Sequence, residues 1–355
     1  MDSDTANKEF SAETLQYNEI MQDIASGMAG DPKADWEYLN AEADKYKDHE
    51  MSKEILRGIG RLISTIIPEG MKEKLVELEQ KMHSDFLGLE AIVEEAHFNI
   101  YKQNFPKALE LIESAVAKLE TEHLLFQDDR VSEYRYFRNP LEELLYRELY
   151  KPEKEVRYIP EDHSQVYFVY GNLLYELKRY DEAVAALKKA MRVNPVRTDV
   201  LFELGDLYKR RQQWDDFLEL SKRSLAVAYK SADIARAYRD LGFYFSDHRE
   251  YDTAAALFFL STQYAESPVA NSELYYIIKE TGKELPEFGP EEVKQILSMR
   301  EIQFGVSQDV LGISYAFAQR FEKEKNADAA RFFYDILYDL THDDGIRKKL
   351  EGLGN

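Results

Sequence analysis

The side chains here that could do acid–base or metal chemistry are seven histidines and 67 carboxylates. The histidines stand at 49, 83, 97, 123, 163, 248 and 342. A helical metal site needs ligands one turn apart, and no two histidines have that spacing. Carboxylates are so numerous that any pair chosen as acid and base is one of many equivalent pairs. Cysteine is absent, which removes thiolate ligands, disulfides and cysteine nucleophiles. Gly58-Ile59-Gly60 lacks the third glycine of a dinucleotide loop, and no strand is expected before it. No HExxH, GxSxG or GxxxxGK motif occurs. The expectation is therefore no catalytic residue, no cofactor and no metal, and a protein that binds rather than catalyses.

The remaining chemistry is that of recognition. The chain has 24 Tyr and 19 Phe, residues that bury large surfaces, and Tyr adds a polar tip. Its formal charge is −21. A surface of that sign repels phosphate backbones and anionic lipid, so nucleic acid and membrane are not expected partners. Residues 1–10 are polar and acidic and do not read as a signal peptide. No apolar run approaches the ~18–20 residues of a membrane span. These features lead to the expectation of a soluble, cytoplasmic protein.

The elements that would position recognition residues come from an internal repeat. Residues 164–197 carry Tyr167, Tyr170, Gly171, Leu174, Tyr180, Ala183, Leu187, Ala190 and Pro195. Residues 198–231 carry Leu201, Leu204, Gly205, Tyr208, Trp214, Phe217, Ser221 and Ser224. Residues 235–268 carry Tyr238, Leu241, Gly242, Phe245, Tyr251, Ala254, Phe258 and Ser261. A period of ~34 residues with these glycines, aromatics and small residues resembles the tetratricopeptide repeat over 164–268. The resemblance implies an all-α, α–α superhelix of paired helices. Gly171, Gly205 and Gly242 would sit mid-helix, where glycine costs about 0.5–1 kcal/mol unless a second backbone comes close. Weaker copies flank this core at 89–122 and 311–344, and 271–281 with 290–304 read as a helix pair without the motif.

The whole chain then divides into an N-terminal helical region at 1–84, a degenerate first repeat at 85–122, and an insertion at 123–163. Three repeats follow at 164–268, then degenerate C-terminal repeats and a cap at 269–355. In the N-terminal region 14–26, 34–47, 51–67 and 71–86 show helical apolar spacing. Within the insertion, 133–137 and 155–159 resemble each other and read as short strands. Between them Asn139, Pro140 and Glu142 predict a capped helix over 140–150.

In tetratricopeptide arrays the first helix of each pair lines the concave surface, so the resemblance marks three faces. They are Gln165, Phe168, Asn172, Tyr175 and Glu176; Asp199, Phe202, Asp206, Lys209 and Arg210; and Arg236, Arg239, Phe243, Ser246 and Asp247. Residues three and four apart share a helix face. Phe168, Asn172, Tyr175, Phe202, Arg236, Arg239 and Phe243 are the expected partner-binding set, because interfaces favour aromatic and arginine anchors. The carboxylate-clamp subset, which grips acidic C-termini, needs Lys, Asn and Arg where this chain has Phe168, Glu203 and Asp240. Only Asn172 and Arg236 match, so a clamp is not expected. The basic groups Lys178-Arg179, Lys209-Arg210-Arg211 and His248-Arg249 each close a first helix, where cations suit the helix dipole. The expected function is a protein- or peptide-binding scaffold. The alternative is a peptide-responsive signalling receptor, since N-terminal helices before an array resemble the layout of such receptors in Gram-positive bacteria.

Overall fold

The computed structural model describes residues 10–66, 89–122, 126–286 and 288–353. Its N-terminal helices are α1 (Ala12–Ser26), α2 (Pro32–Tyr46) and α3 (Ser52–Thr65). Ser11 caps α1 by accepting from Thr14 N–H, and Asp31 with Pro32 opens α2. Their apolar faces enclose Tyr17, Ile24, Leu39, Met51, Ile55 and Ile59, joined by Val131. Gly58 lies inside α3, where a Cβ would stand 2.6 Å from Met21 Sδ and Tyr17 Oη. The glycine admits α1 and has a packing role. The expected helix over 71–86 lies outside the described residues.

The array is built from helix hairpins. These are α4 (89–101) with α5 (Phe105–Glu122); α9 (Thr198–Arg210) with α10 (Trp214–Val227); and α11 (Ser231–Asp247) with α12 (Tyr251–Tyr264), while α7 (His163–Glu176) leads into α8 (Tyr180–Val193) through the same kind of turn. After α13 (Pro268–Thr281) and α14 (Pro290–Ser298) come α15 (Gln308–Lys323) and α16 (Ala327–Thr341), and α17 (Asp344–Gly352) ends the described chain.

One turn recurs between the members of these hairpins. Gln103, Lys178, Gln212, Arg249 and Lys325 have φ between 56° and 62°, each two residues before the second helix. The following N–H reaches back five residues: Asn104 to Asn99 O, Arg179 to Leu174 O, Gln213 to Tyr208 O, Glu250 to Phe245 O and Asn326 to Phe321 O, at 2.8 to 2.9 Å. This six-residue Schellman closure satisfies helix-end carbonyls. A left-handed non-glycine residue costs about 1–2 kcal/mol, so its recurrence means that the geometry after it matters more. Within the basic groups, Lys178 and Arg249 take the strained position itself.

Gly205 and Gly242 sit in the hairpin contacts, where a phenyl ring comes close rather than the expected second backbone. Gly171, Gly205 and Gly242 are all buried. A Cβ at Gly205 would meet Phe217 Cδ2 at 3.6 Å, whereas one at Gly242 would meet Phe258 Cε1 at 2.8 Å. The facing helices differ by one turn. The α10 pair is Phe217 then Ser221, and the α12 pair is Ala254 then Phe258, all fully or nearly fully buried. The large ring has moved one turn along the second helix while the small residue took its place, which conserves volume.

The insertion holds β1 (Ser132–Arg135), α6 (Pro140–Tyr150) and β2 (Glu155–Tyr158). The strands pair in parallel, Ser132 with Glu155 through Arg135 with Tyr158. The first strand ends two residues earlier than the expected 133–137. Asn139 caps α6 as expected, its Oδ1 accepting from Glu142 N–H at 3.1 Å. The Glu142 carboxylate does not close a capping box on Asn139 N–H. It accepts instead from Arg138 N–H at 2.8 Å, Asn194 Nδ2 at 2.7 Å and Tyr229 Oη at 3.3 Å. Glu142 is fully buried, and Arg138 supplies the counter-charge at 2.7 Å. Burial raises the Tyr229 hydroxyl to about 12, with the Glu142 charge acting in the same direction.

Two compact units result. One comprises Met1–Tyr136 with Tyr150–Leu173, and the other Phe137–Leu149 with Leu174–Asn355. The first holds the N-terminal helices, α4, α5 and the strand pair. The second holds most of α6 and the stack from α8 onward, in which α8 to α13 each pack on the next. The protein is all-α apart from the strand pair, in tandem hairpins of tetratricopeptide type. Among the described residues no helix is long and apolar enough to cross a membrane.

Candidate functional site

The face shared by α9 and α11 in the second unit is the candidate site. The motif glycines give its register. Phe202 and Arg239 stand three residues before Gly205 and Gly242, Glu203 and Asp240 two before, and Asp206 and Phe243 one after. Equivalent positions on successive first helices come side by side, so α9 and α11 present interleaved charges and rings.

Arg236 bridges the two helices. Its Nη2 donates to Glu203 Oε1 at 3.2 Å and to Asp206 Oδ2 at 2.9 Å, and its guanidinium lies 4.6 Å from the Phe202 ring centre. Lys209 Nζ pairs with Asp206 Oδ1 at 2.7 Å and lies 4.8 Å from the Phe243 ring centre. The Phe243 ring in turn meets Phe258 edge to face at 5.5 Å. Arg236, Glu203, Asp206 and Lys209 keep about a third of their side-chain surface, so each pair is worth little to stability. Their effect is to fix the geometry of the face.

This arrangement corrects one anchor. Phe202 was expected to present its ring to a partner, but it is 3% exposed beneath Arg236, so it is floor rather than contact surface. The arginine stacks there because Glu203 and Asp206 hold its guanidinium over the ring. Tyr175 is half-buried, edge to face with Tyr180 at 5.7 Å and 6.0 Å from the Arg210 guanidinium. Phe243, Arg236 and Arg239 are half-buried too. Phe168 and Asn172, half-buried, lie on the part of α7 that belongs to the first unit; the other five share the second.

Arg239 and Asp240 are left over from the pairing. Neither makes a hydrogen bond or ion pair among the described residues. Burial lowers the Arg239 guanidinium from its ordinary value, Asp240 opposes that shift and Arg236 adds to it. Burial pushes the Asp240 carboxyl up to about 7, against the pull of Lys209, Arg236 and Arg239 and with the help of Asp206. Glu203 is raised by burial against the pull of Arg236. On α13, Glu273 is raised by burial against the pull of Lys209. Glu203 and Asp240 entered the sequence reading only as residues that defeat an acidic ligand. Their shared place, two residues before a motif glycine, is the signal that marks them as facing positions.

The family comparison agrees with this build. The family model described as TPR repeat matches residues 171–212, which run from the motif glycine of α7 through α8 and α9 into the next turn. A solved structure of a thermophilic TPR protein from Thermus thermophilus matches with 18% identity and a TM-score of 0.29. That match covers 54% of this chain and 98% of the other. No curated protein matches significantly. With its repeated glycines, its recurrent left-handed hairpin turns and the family match over 171–212, this chain carries tandem helix hairpins of tetratricopeptide-repeat type.

Proposed function

We propose that the α9–α11 face, flanked by Tyr175 near the end of α7, binds an extended segment of another polypeptide, and that the protein acts as an interaction scaffold rather than an enzyme. The observation that carries this reading is Arg239. It is a half-buried guanidinium on the concave-type face of a repeat with no carboxylate in ion-pair reach among the described residues. Beside it the face is already ordered, with Arg236 and Lys209 clamped over aromatic rings, so little side-chain entropy is lost when a ligand arrives. The geometry supports Tyr175, Arg239 and Phe243 as contacts, Arg236 as a bridge and Phe202 as the support beneath it.

The test begins with affinity capture and identification of a bound polypeptide, followed by titration of that segment. Tyr175→Ala with Arg239→Ala is expected to weaken binding by roughly thirtyfold or more, since truncated tyrosine and arginine anchors commonly cost about 2 kcal/mol each. Wild-type affinity in a double variant that melts normally would remove the site from this face.

A further inference from the structure

Three carboxylates act on Arg236 on the α9–α11 face, Glu203, Asp206 and Asp240, and the chain completes the pairing of one. Asp206 holds two cations, Arg236 at 2.9 Å and Lys209 at 2.7 Å. Glu203 receives a single N–H from Arg236, at 3.2 Å. Asp240 is 7% exposed, yet no hydrogen bond or ion pair among the described residues reaches it. Buried carboxylates in proteins are normally paired, because removing the charge from water is expensive.

The nearby cations act on Asp240 through space but make no hydrogen bond or ion-pair contact with it. Arg236 is committed to Glu203 and Asp206, and Lys209 to Asp206. Arg239 is adjacent in sequence, and neighbours at i and i+1 on a helix do not face each other. What Asp240 lacks is a cationic donor arriving from outside the helix pair, at a position where Glu203, one repeat earlier, is also incompletely paired.

Building on the peptide-binding reading above, we propose that Asp240, with Glu203 at the equivalent position one repeat earlier, is a subsite for a basic side chain of the bound segment. Charge complementarity selects that chemistry. Arginine suits the subsite better than lysine, because a guanidinium is more weakly hydrated and carries several donors in a fixed fork. The raised carboxyls of Asp240 and Glu203 fit this assignment, because an incoming cation lowers both and releases protons as it binds.

The test uses fluorescein-labelled octapeptides of glycine and serine carrying two arginines, two lysines or two glutamines. Each is titrated by anisotropy against the full chain. The arginine peptide should bind tightest, and the glutamine peptide weakest. Asp240→Asn should weaken the arginine peptide by about tenfold or more. Asp328→Asn, an equal charge change at an exposed site on α16, should leave it within about twofold. Wild-type binding of the arginine peptide should tighten from pH 6 to pH 8, and the Asp240→Asn profile should be distinctly flatter. Glu203→Gln gives a second variant should Asp240→Asn melt abnormally. No binding of the arginine peptide, no preference over glutamine, or equal loss in Asp240→Asn and Asp328→Asn would each overturn the proposal. A captured partner that loses affinity in the Tyr175, Arg239 double variant but not in Asp240→Asn would overturn this inference alone and leave the binding face in place.

Discussion

Gly205 and Gly242 hold the same place in successive repeats, yet alanine should act on them with opposite sign. A mid-helix glycine costs about 0.5–1 kcal/mol relative to alanine, so the substitution starts with that gain at both sites. At Gly205 the new methyl meets Phe217 at 3.6 Å, ordinary van der Waals contact, and the gain should survive. At Gly242 it meets three ring atoms of Phe258 at 2.8 to 3.0 Å. Phe258 is fully buried and wedged edge to face against Phe243, so the ring has nowhere to retreat. Overpacking of that kind costs about 1–3 kcal/mol, leaving a net loss of roughly 0.5–2 kcal/mol. For a unit of this size, each kcal/mol moves the melting temperature by about 2–4 °C. Calorimetry should therefore show Gly205→Ala melting slightly above wild type and Gly242→Ala several degrees below. Equal shifts in the two variants would refute the claim that ring position sets the cost. A compensating pair, Gly242→Ala with Phe258→Leu, should recover part of the loss.

Two further outcomes concern stability. With its carboxyl at about 7 rather than an ordinary 3.8, Asp240 holds a proton in the folded chain that the unfolded chain releases between about pH 4 and 7. Its contribution to stability therefore falls as pH rises through that window and levels off above it, by at most about 4 kcal/mol. Urea melts should show Asp240→Asn gaining on wild type between pH 5 and pH 8, and a constant difference would refute the shift. Arg249 is exposed with φ 59°, so Arg249→Gly relieves about 1–2 kcal/mol of left-handed strain, part of it returned as unfolded-chain entropy. Its melting temperature should rise by a few degrees, and a fall would show that the turn is not strained.

The hairpins were legible because each repeat places a glycine, a turn aromatic and small residues at fixed intervals, and those residues do the packing. The turns themselves were not legible in this way. Lys178, Gln212 and Arg249 have no intrinsic preference for positive φ, and the surrounding helices impose it. The two strands could be read from their β-prone runs, but their parallel direction is decided by where the chain re-enters after α6. Asn139 as a cap followed from local chemistry, whereas the Glu142 carboxylate was drawn away by Asn194 and Tyr229, which lie far along the sequence. At the candidate face, the facing positions followed from the period. The burial of Phe202 did not, because it depends on which way Arg236 leans, and two carboxylates from the neighbouring helix decide that.

Arrays of repeats usually hold together through nearest neighbours alone and can fray from either end, as a chain of nearly independent links. Glu142 breaks that rule in the second unit. One carboxylate bonds residues 52 and 87 positions later, in the link before α9 and in the link before α11. Opening either junction strips a buried anion of a donor, so the loss at one is felt at the other. The middle of the array should therefore unfold as a single cooperative block. In a Trp36→Phe background, Trp214 fluorescence and helix content should report one shared denaturation midpoint.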